Sequence, residues 1–236
     1  MRGCIEATYR AGIDSREQPL YTFTEAANFL GVNAQTLTTW FFGRQYDTSQ
    51  GSQPWPRVIT PADPELKLLS FYNLAEAHVL AATRYEHKVP FWAVRQAIDE
   101  VIRKYPASAD HPLLADDFFT NGKLIFVKTI AEIVNLSSQQ LPLDIMDAFL
   151  VRVLRDSDGN PFKFFPLRKG EPNDRIISIV AGVSASRPIV DSASIPVAAV
   201  WRRYNSGEDP EFIAKDFALE ISQVERAISY VENRAA

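Results

Sequence analysis

The chain carries a single cysteine, Cys4, in 236 residues. One thiol excludes an internal disulfide framework and a cysteine-cluster zinc site, and it fits a reducing, cytoplasmic compartment. Long apolar runs are missing too. Nothing reaches the ~18 apolar residues of a membrane span, and Met1 to Gln18 is polar and mixed in charge, without the apolar centre of a secretion signal. Histidine is scarce: His78, His87 and His111 do not fall at metal-ligand spacing, and His87 beside Glu86 and His111 before Asp116 and Asp117 read as surface residues. No glycine-rich phosphate loop or nucleophile elbow occurs. These absences point away from an enzyme and leave no catalytic residue, metal ligand or cofactor to assign.

A basic excess is also lacking. Lys and Arg number 25 against 29 Asp and Glu, a formal charge of −4. Residues 1–60 hold five arginines (Arg2, Arg10, Arg16, Arg44, Arg57) and five carboxylates. A strongly salt-dependent, non-specific nucleic-acid binder is therefore not expected, since such proteins carry a basic footprint. What remains is ordinary for a soluble globular chain: 46% apolar and 23% charged residues, with ample length for a core.

Against that background Tyr21 to Trp40 stands out. Thr22 with Glu25 is a capping box that opens a helix bearing Ala26, Ala27, Phe29 and Leu30 on its apolar side. Gly31 supplies the backbone freedom of a helix stop. Asn33 caps a second helix, with Val32 and Leu37 placed as a hydrophobic staple. That helix buries Leu37 and Trp40 or Phe41 and turns Gln35, Thr36, Thr38 and Thr39 outward. Helix, glycine turn and polar-faced helix form either a helix-turn-helix or an ordinary helical hairpin with a solvated face.

The following residues weigh on that choice. Gly43 to Tyr46 and Trp55 to Ile59 read as extended pieces around a polar tip, Asp47 to Ser52, so a hairpin follows the second helix. Arg44 and Arg57 flank it and are placed either to hold phosphate or as plain surface charge. A strand-like Leu68 to Tyr72 precedes a helix from Leu74 to Tyr85, capped by Asn73 with Glu76. Val89-Pro90 opens a further helix to Tyr105, with Phe91, Val94, Ile98, Val101 and Ile102 on one face.

The order Tyr-Thr-Phe-Thr-Glu-Ala-Ala, Leu-Gly-Val, Thr-Leu-Thr-Thr-Trp, hairpin, then Leu74-Ala-Glu-Ala-His-Val-Leu and Val89-Pro-Phe-Trp-Ala-Val-Arg resembles a MerR-like winged helix over residues 19–106. Residues 107–175 are mixed. Asn121-Gly122 between apolar runs signals a hairpin, Leu141 to Leu154 reads as a helix running into a strand, and Asp156 to Asn160 turns into Phe162 to Leu167 as a second hairpin. From about Ile176 a strand-like stretch leads through Arg187-Pro-Ile-Val and Ile195-Pro-Val to three helices: Val197 to Tyr204, one capped by Asp209, and one beginning near Leu219.

That ending resembles the small C-terminal domain of a class of bacterial antitoxins, with Ser192-Ala193-Ser194 where the family has Gly-Thr-Arg. Pro188-Ile-Val-Asp191 also looks like the opening strand of a PIN-type ribonuclease, but the 45 residues left after Asp191 are too few to gather a metal-binding carboxylate cluster.

Together the parts resemble the large VapB-type antitoxins. The expected fold is α+β, mainly α: a flexible lead-in (1–18), a MerR-like winged helix-turn-helix (19–106), a mixed connecting region with hairpins (107–175) and a three-helix, helix-turn-helix-like domain (176–236). The resemblance implies an antitoxin of a type II toxin–antitoxin pair that binds a PIN-domain ribonuclease and represses its own operon. Asn33, Gln35, Thr36, Thr38 and Thr39 are the expected base readers, Arg44 and Arg57 the phosphate contacts. Arg202, Arg203, Gln223 and Arg226 are weaker candidates in the second motif. A neutral reader gains from two-fold pairing on a palindromic site, so a homodimer on operator DNA is expected, with no membrane. The alternative is a ligand-responsive MerR-like regulator without a toxin.

Overall fold

A computed structural model describes residues 12–48, 51–85, 89–106, 109–133, 140–168 and 170–233, so Cys4 and His87 lie outside the described residues. The protein is mixed α+β and rich in helix. Its first part runs β1 (Tyr21–Thr22), α1 (Phe23–Leu30), α2 (Ala34–Phe42), β2 (Arg44–Thr48), β3 (Gly51–Trp55) and β4 (Leu68–Leu69). Next come α3 (Phe71–Tyr85), α4 (Phe91–Lys104), α5 (Lys123–Ile133) and α6 (Gln140–Leu150). The last part holds β5 (Val153–Arg155), β6 (Pro161–Phe164), β7 (Ile177–Val180), β8 (Ile189–Val190), β9 (Ile195–Pro196), α7 (Val197–Asn205), α8 (Pro210–Phe217) and α9 (Ile221–Glu232).

Helix α3 is the axis. Every residue from Phe71 to Thr83 is buried, so this stretch has no solvent face. The expected cap at Asn73 sits one turn too late. Ser70 Oγ accepts from the Asn73 amide (3.1 Å) and Asn73 Oδ1 accepts from the Ser70 amide (3.2 Å), so the reciprocal box lies at the start of the observed helix. Asn73 also takes the Ala62 amide (2.7 Å) and donates to Thr60 O (2.8 Å), which ties down the connection before β4.

The hairpin expected at Asn121-Gly122 is absent. Phe118–Gly122 is a π-helical turn that runs directly into α5. Phe118, Phe126, Val127 and Ile130 then share one buried face, which helical spacing satisfies and two short strands would split. Gly122 takes a helical conformation in close quarters: a β-carbon there would lie 3.1 Å from Asp117 O. The second expected hairpin is present as β5–β6, around a turn in which Asp156 Oδ1 accepts from Asp158 and Asn160.

Strands β5 to β9 form one antiparallel sheet in sequence order. A boundary at residue 175 therefore falls between β6 and β7, which pair through Phe164 and Ile179. The lead-in likewise ends in structure: Gln18 is buried, Arg16 reaches Asp156 (2.8 Å), and Glu17 meets His111. A large core spans α1 to α6, with Phe164 and Ile179 of the sheet. A smaller one unites Ile177 and Val190 with α7, α8 and α9.

Both described histidines are built into this frame. His78 is buried on Phe149 and Phe164 with Nε2 3.2 Å from Phe149 O, and burial lowers its pKa to about 3. His111 is not the surface residue expected: it bridges Glu17 (2.8 Å) and fully buried Glu76 (2.9 Å). Burial opposes its charge, but hydrogen bonds to Glu17 and Glu76 outweigh burial and raise its pKa to about 10. The two histidines thus act in opposite senses on stability. His78 contributes stability above its unfolded pKa of about 6.5 that is lost as pH falls toward 3, whereas His111 contributes below about 6.5 and loses that contribution as pH rises toward 10. Thermal midpoints should therefore decline between pH 7 and 9.5, and His111→Gln should flatten that decline while costing about 3 kcal/mol at pH 6.5. An unchanged alkaline slope in the variant would remove His111 from the account.

Candidate nucleic-acid interface

The local signals at Tyr21–Trp40 build the expected geometry. Thr22 Oγ1 accepts from the Glu25 amide (3.2 Å) and Glu25 Oε2 accepts from the Thr22 amide (3.0 Å), which fixes the start of α1. Gly31 closes it in the left-handed conformation (φ 64°). Asn33 Oδ1 accepts from the Gln35 amide (2.8 Å) and starts α2. Leu37, Trp40 and Phe41 are all buried beneath α2, with Val32 packed on the same core.

Their burial leaves the other side of α2 outward. Asn33 and Gln35 are exposed, while Thr36, Thr38 and Thr39 are half-buried. Two hydroxyls are already committed as donors: Thr38 Oγ1 to Ala34 O (2.8 Å) and Thr39 Oγ1 to Gln35 O (2.9 Å). In that state each hydroxyl keeps lone pairs with which to accept but has its proton already committed. The face can therefore accept from adenine N6 or cytosine N4 and pack on a thymine methyl.

Gly43 (φ 71°, ψ −166°) turns the chain from α2 into the hairpin, a backbone conformation that belongs essentially to glycine. Strands β2 and β3 pair with Arg44 opposite Trp55 and Thr48 opposite Gly51, so the hairpin is longer than the sequence suggested and its strands end before Arg57. The chain then returns to α2: the Val58 and Ile59 amides both donate to Trp40 O (2.7 and 3.1 Å), filling a carbonyl the helix end leaves open. Arg44 and Arg57 are both exposed at the hairpin base. Arg95 of α4, not among the expected site residues, donates to Arg57 O and pairs with Asp99 (2.9 Å). Its contact is to a backbone carbonyl 38 positions away in sequence, which no local pattern announces.

The C-terminal candidates separate. Arg202 is exposed and makes no salt bridge among the described residues. Arg203 is held by Glu208 (2.9 Å) and Asp216, and its guanidinium lies over Phe217. Gln223 completes the α9 cap by accepting from the Glu220 amide (3.0 Å) and donates to Ser192 Oγ (3.0 Å). Arg226 is buried, pairing with Asp174 (2.9 Å) and Glu171, so it belongs to the frame rather than to a contact surface. Between α1 and these helices opens a cleft of about 330 Å³, lined chiefly by apolar side chains including Phe29, Trp201 and Tyr230, with Glu25, Asn28 and Arg187 also on its walls. Among the described residues no helix is long and apolar enough to cross a membrane, and no group of three His, Cys, Asp or Glu side chains could hold a metal ion.

Comparison with known proteins gives this geometry a context. A family profile described as "Putative DNA-binding HTH domain" matches residues 19–98. The chain is 25% identical over 231 residues to "Putative antitoxin VapB45" of Mycobacterium tuberculosis, an alignment covering 90% of this chain and 94% of that protein. It is 23% identical to the uncharacterized protein Rv2308 of the same organism, over 92% of this chain and 91% of the relative. The crystal structure of Rv2018 from Mycobacterium tuberculosis superposes with a TM-score of 0.63 at 21% identity, covering 89% of this chain and 97% of the other, and so shares the fold. Residues 19–98 thus carry a helix-turn-helix of the kind that this profile describes, and neither the profile nor the relative named as a putative antitoxin belongs to an enzyme family.

The burial of Arg226 yields a separable expectation. Arg226→Ala should cost about 3–5 kcal/mol of folding free energy, because Glu171 loses its cation in a buried site. Denaturation should register that loss while DNA affinity per folded molecule stays at the parent value. A loss of DNA affinity without a loss of stability would return Arg226 to the contact surface.

Proposed function

We propose that this protein is an antitoxin of a type II toxin–antitoxin pair, a cytoplasmic homodimer that binds a PIN-domain ribonuclease and represses its own operon through a MerR-like winged helix. The observation that carries the reading is the outward face of α2, uncharged and bounded by a hairpin with exposed arginines at its base. In this reading Asn33, Gln35, Thr36, Thr38 and Thr39 face base edges, Arg44 and Arg57 hold phosphates, and the hairpin is the wing. Resemblance to a protein named as an antitoxin over nearly the whole chain supports the toxin-binding half. Division of the chain into a reading part (19–106), a connecting part (107–175) and a C-terminal part (176–236) belongs to the same proposal, with Arg202 as an exposed cation on the second helical corner.

Two contact classes make different demands. Replacing Thr36 and Thr39 with Ala removes base contacts and should cost about 1–3 kcal/mol of discrimination for each base pair no longer read. Replacing Arg44 or Arg57 with Ala should weaken all sequences alike and reduce the salt slope of binding by about 1 for each phosphate no longer neutralised. Titration of a DNA fragment from upstream of the reading frame, at several salt concentrations, measures both. Equal effects of the threonine pair on specific and random DNA would show the reading face to be elsewhere. Co-expression with the adjacent reading frame tests the partner: growth arrest by that product should be relieved and a complex should co-purify. Absence of both would end the antitoxin reading.

The cleft beside α1 favours a second reading, a ligand-responsive regulator with no toxin. Its volume, about 330 Å³, lies at the lower end of the range typical of small-molecule sites. An adjacent frame with no effect on growth, together with a small molecule that alters operator affinity, would favour this reading over the first.

A further inference from the structure

Arg168 is 2% exposed, yet no carboxylate meets its guanidinium among the described residues. Burying a lone cation is costly, so something else must compensate it. Nη1 donates to Tyr230 O (2.6 Å), in the last turn of α9, and Nη2 to the carbonyl of its C-cap, Asn233. The guanidinium carbon stands 4.5 Å from the Tyr230 ring centre. On its other side the arginine runs across the C-cap of α1. A β-carbon at Gly31 would lie 3.1, 2.9 and 2.7 Å from its Cβ, Cγ and Nε. Two helix C-termini, each carrying partial negative charge, thus converge on one cation, and the Tyr230 ring adds its quadrupole. Tyr230 closes the arrangement by donating its hydroxyl to Phe29 O (2.5 Å), one of the carbonyls that the end of α1 leaves open.

Gly31 therefore answers to two constraints. Its left-handed backbone ends α1, and its missing side chain admits Arg168. Only two residues separate it from the start of α2, so what holds Gly31 holds the beginning of the outward helix. An apolar side chain of similar length could fill the space over Gly31, but would leave Tyr230 O and Asn233 O without these donors.

We propose that Arg168 is a positioning residue for α2. It locks the turn between the two helices of the helix-turn-helix to the last helix of the chain, so that the C-terminal part sets the angle at which α2 meets DNA. The proposal rests on the reading of α2 as the DNA-contacting helix. Arg168 itself touches no DNA. Its loss should lower the affinity for the specific site while leaving weak, non-specific binding in place.

The test uses the full chain with Arg168→Met, Arg168→Lys and Tyr230→Phe, and two readouts. Amide exchange is followed over residues 23–42 and, as an internal reference, over residues 71–83. Affinity is measured for the upstream DNA fragment and for random DNA. Arg168→Met should speed exchange in 23–42 but not in 71–83, and lower the specific affinity about threefold to thirtyfold, the range of couplings of this kind. Arg168→Lys, which restores the charge and one donor, should recover part of both. Uniform change across the two segments, or unchanged specific affinity with loosened exchange, overturns the proposal. Should Arg168→Met not fold, Tyr230→Phe decides, because it removes only the hydroxyl and should give a smaller change of the same pattern. If the unaltered chain shows no preference for its upstream fragment, the DNA reading fails. The exchange pattern then decides separately whether Arg168 holds the turn.

Discussion

A helical stretch without a solvent face must find partners for its polar groups within the protein, and Phe71–Thr83 of α3 carries several such groups. Ser70, Asn73, Glu76 and His78 are all buried at or within it. Each of the last three draws in a different distant segment: Asn73 the connection at Thr60–Ala62, Glu76 the residue His111 and through it Glu17, His78 the end of α6 at Phe149. An unmet partner would cost roughly 1–3 kcal/mol at each site, a large share of the stability of an ordinary domain. These hydrogen bonds therefore specify where the surrounding chain must go, while the apolar residues of α3 supply the burial that makes the arrangement favourable. The connection held by Asn73 follows directly on Val58 and Ile59, which return the hairpin to α2. Placement of the outward face is thus linked to the core through backbone contacts within a short stretch.

What the sequence shows of this depends on the range of the interaction. The caps at Thr22, Asn33 and Asp209 are readable because donor and acceptor lie within three residues of each other. The buried faces of α2 and α4 are readable because helical spacing repeats. Asn121-Gly122 misleads for a related reason. The dipeptide suits a tight hairpin turn, but the flanking Phe118 and Phe126 find a common buried face only when the segment is helical, and that face exists only once α4 and α6 are in place. His111 and Arg226 mislead more completely. Their partners sit 35 to 94 residues away for the histidine and 52 to 55 for the arginine, so charge alone makes both resemble surface residues.

Neutrality of the reading part has a physical consequence. With as many carboxylates as arginines in residues 1–60, long-range attraction to DNA is weak, so on the proposed reading discrimination must come from short-range contact geometry. The proposed readers Thr38 and Thr39 would suit that demand because their hydroxyls are already held by the helix backbone and would lose little freedom on contact. Short-range recognition is sensitive to the angle of approach, since a hydrogen bond weakens steeply once its geometry departs from linear. On the proposed reading, such contacts call for a stiffly mounted helix.

The mounting is visible at both ends of α1. At its start Glu25 serves the Thr22 cap with one oxygen and Arg187 with the other (2.6 Å), while the hydroxyl of neighbouring Tyr21 donates to Ser186 O (2.6 Å). Ser184, Ala185 and Ser186 all adopt positive φ near 50°, a left-handed run that side-chain-bearing residues enter only at a cost of about 1 kcal/mol or more each. Such a run persists where its surroundings over-determine it. Here the Ser186 hydroxyl accepts from the Gly182 amide, its carbonyl takes Tyr21, and Arg187 takes Glu25. At the other end Tyr230 and Arg168 seize Phe29 O and the Gly31 turn. Helix α1 is therefore clasped by the segment before β8 and by the last helix, and α2 follows it after a two-residue gap beyond Gly31. The contacts that hold the strained run and those that bury the lone arginine have one thing in common: both tie the N-terminal helix pair directly to the C-terminal part of the chain.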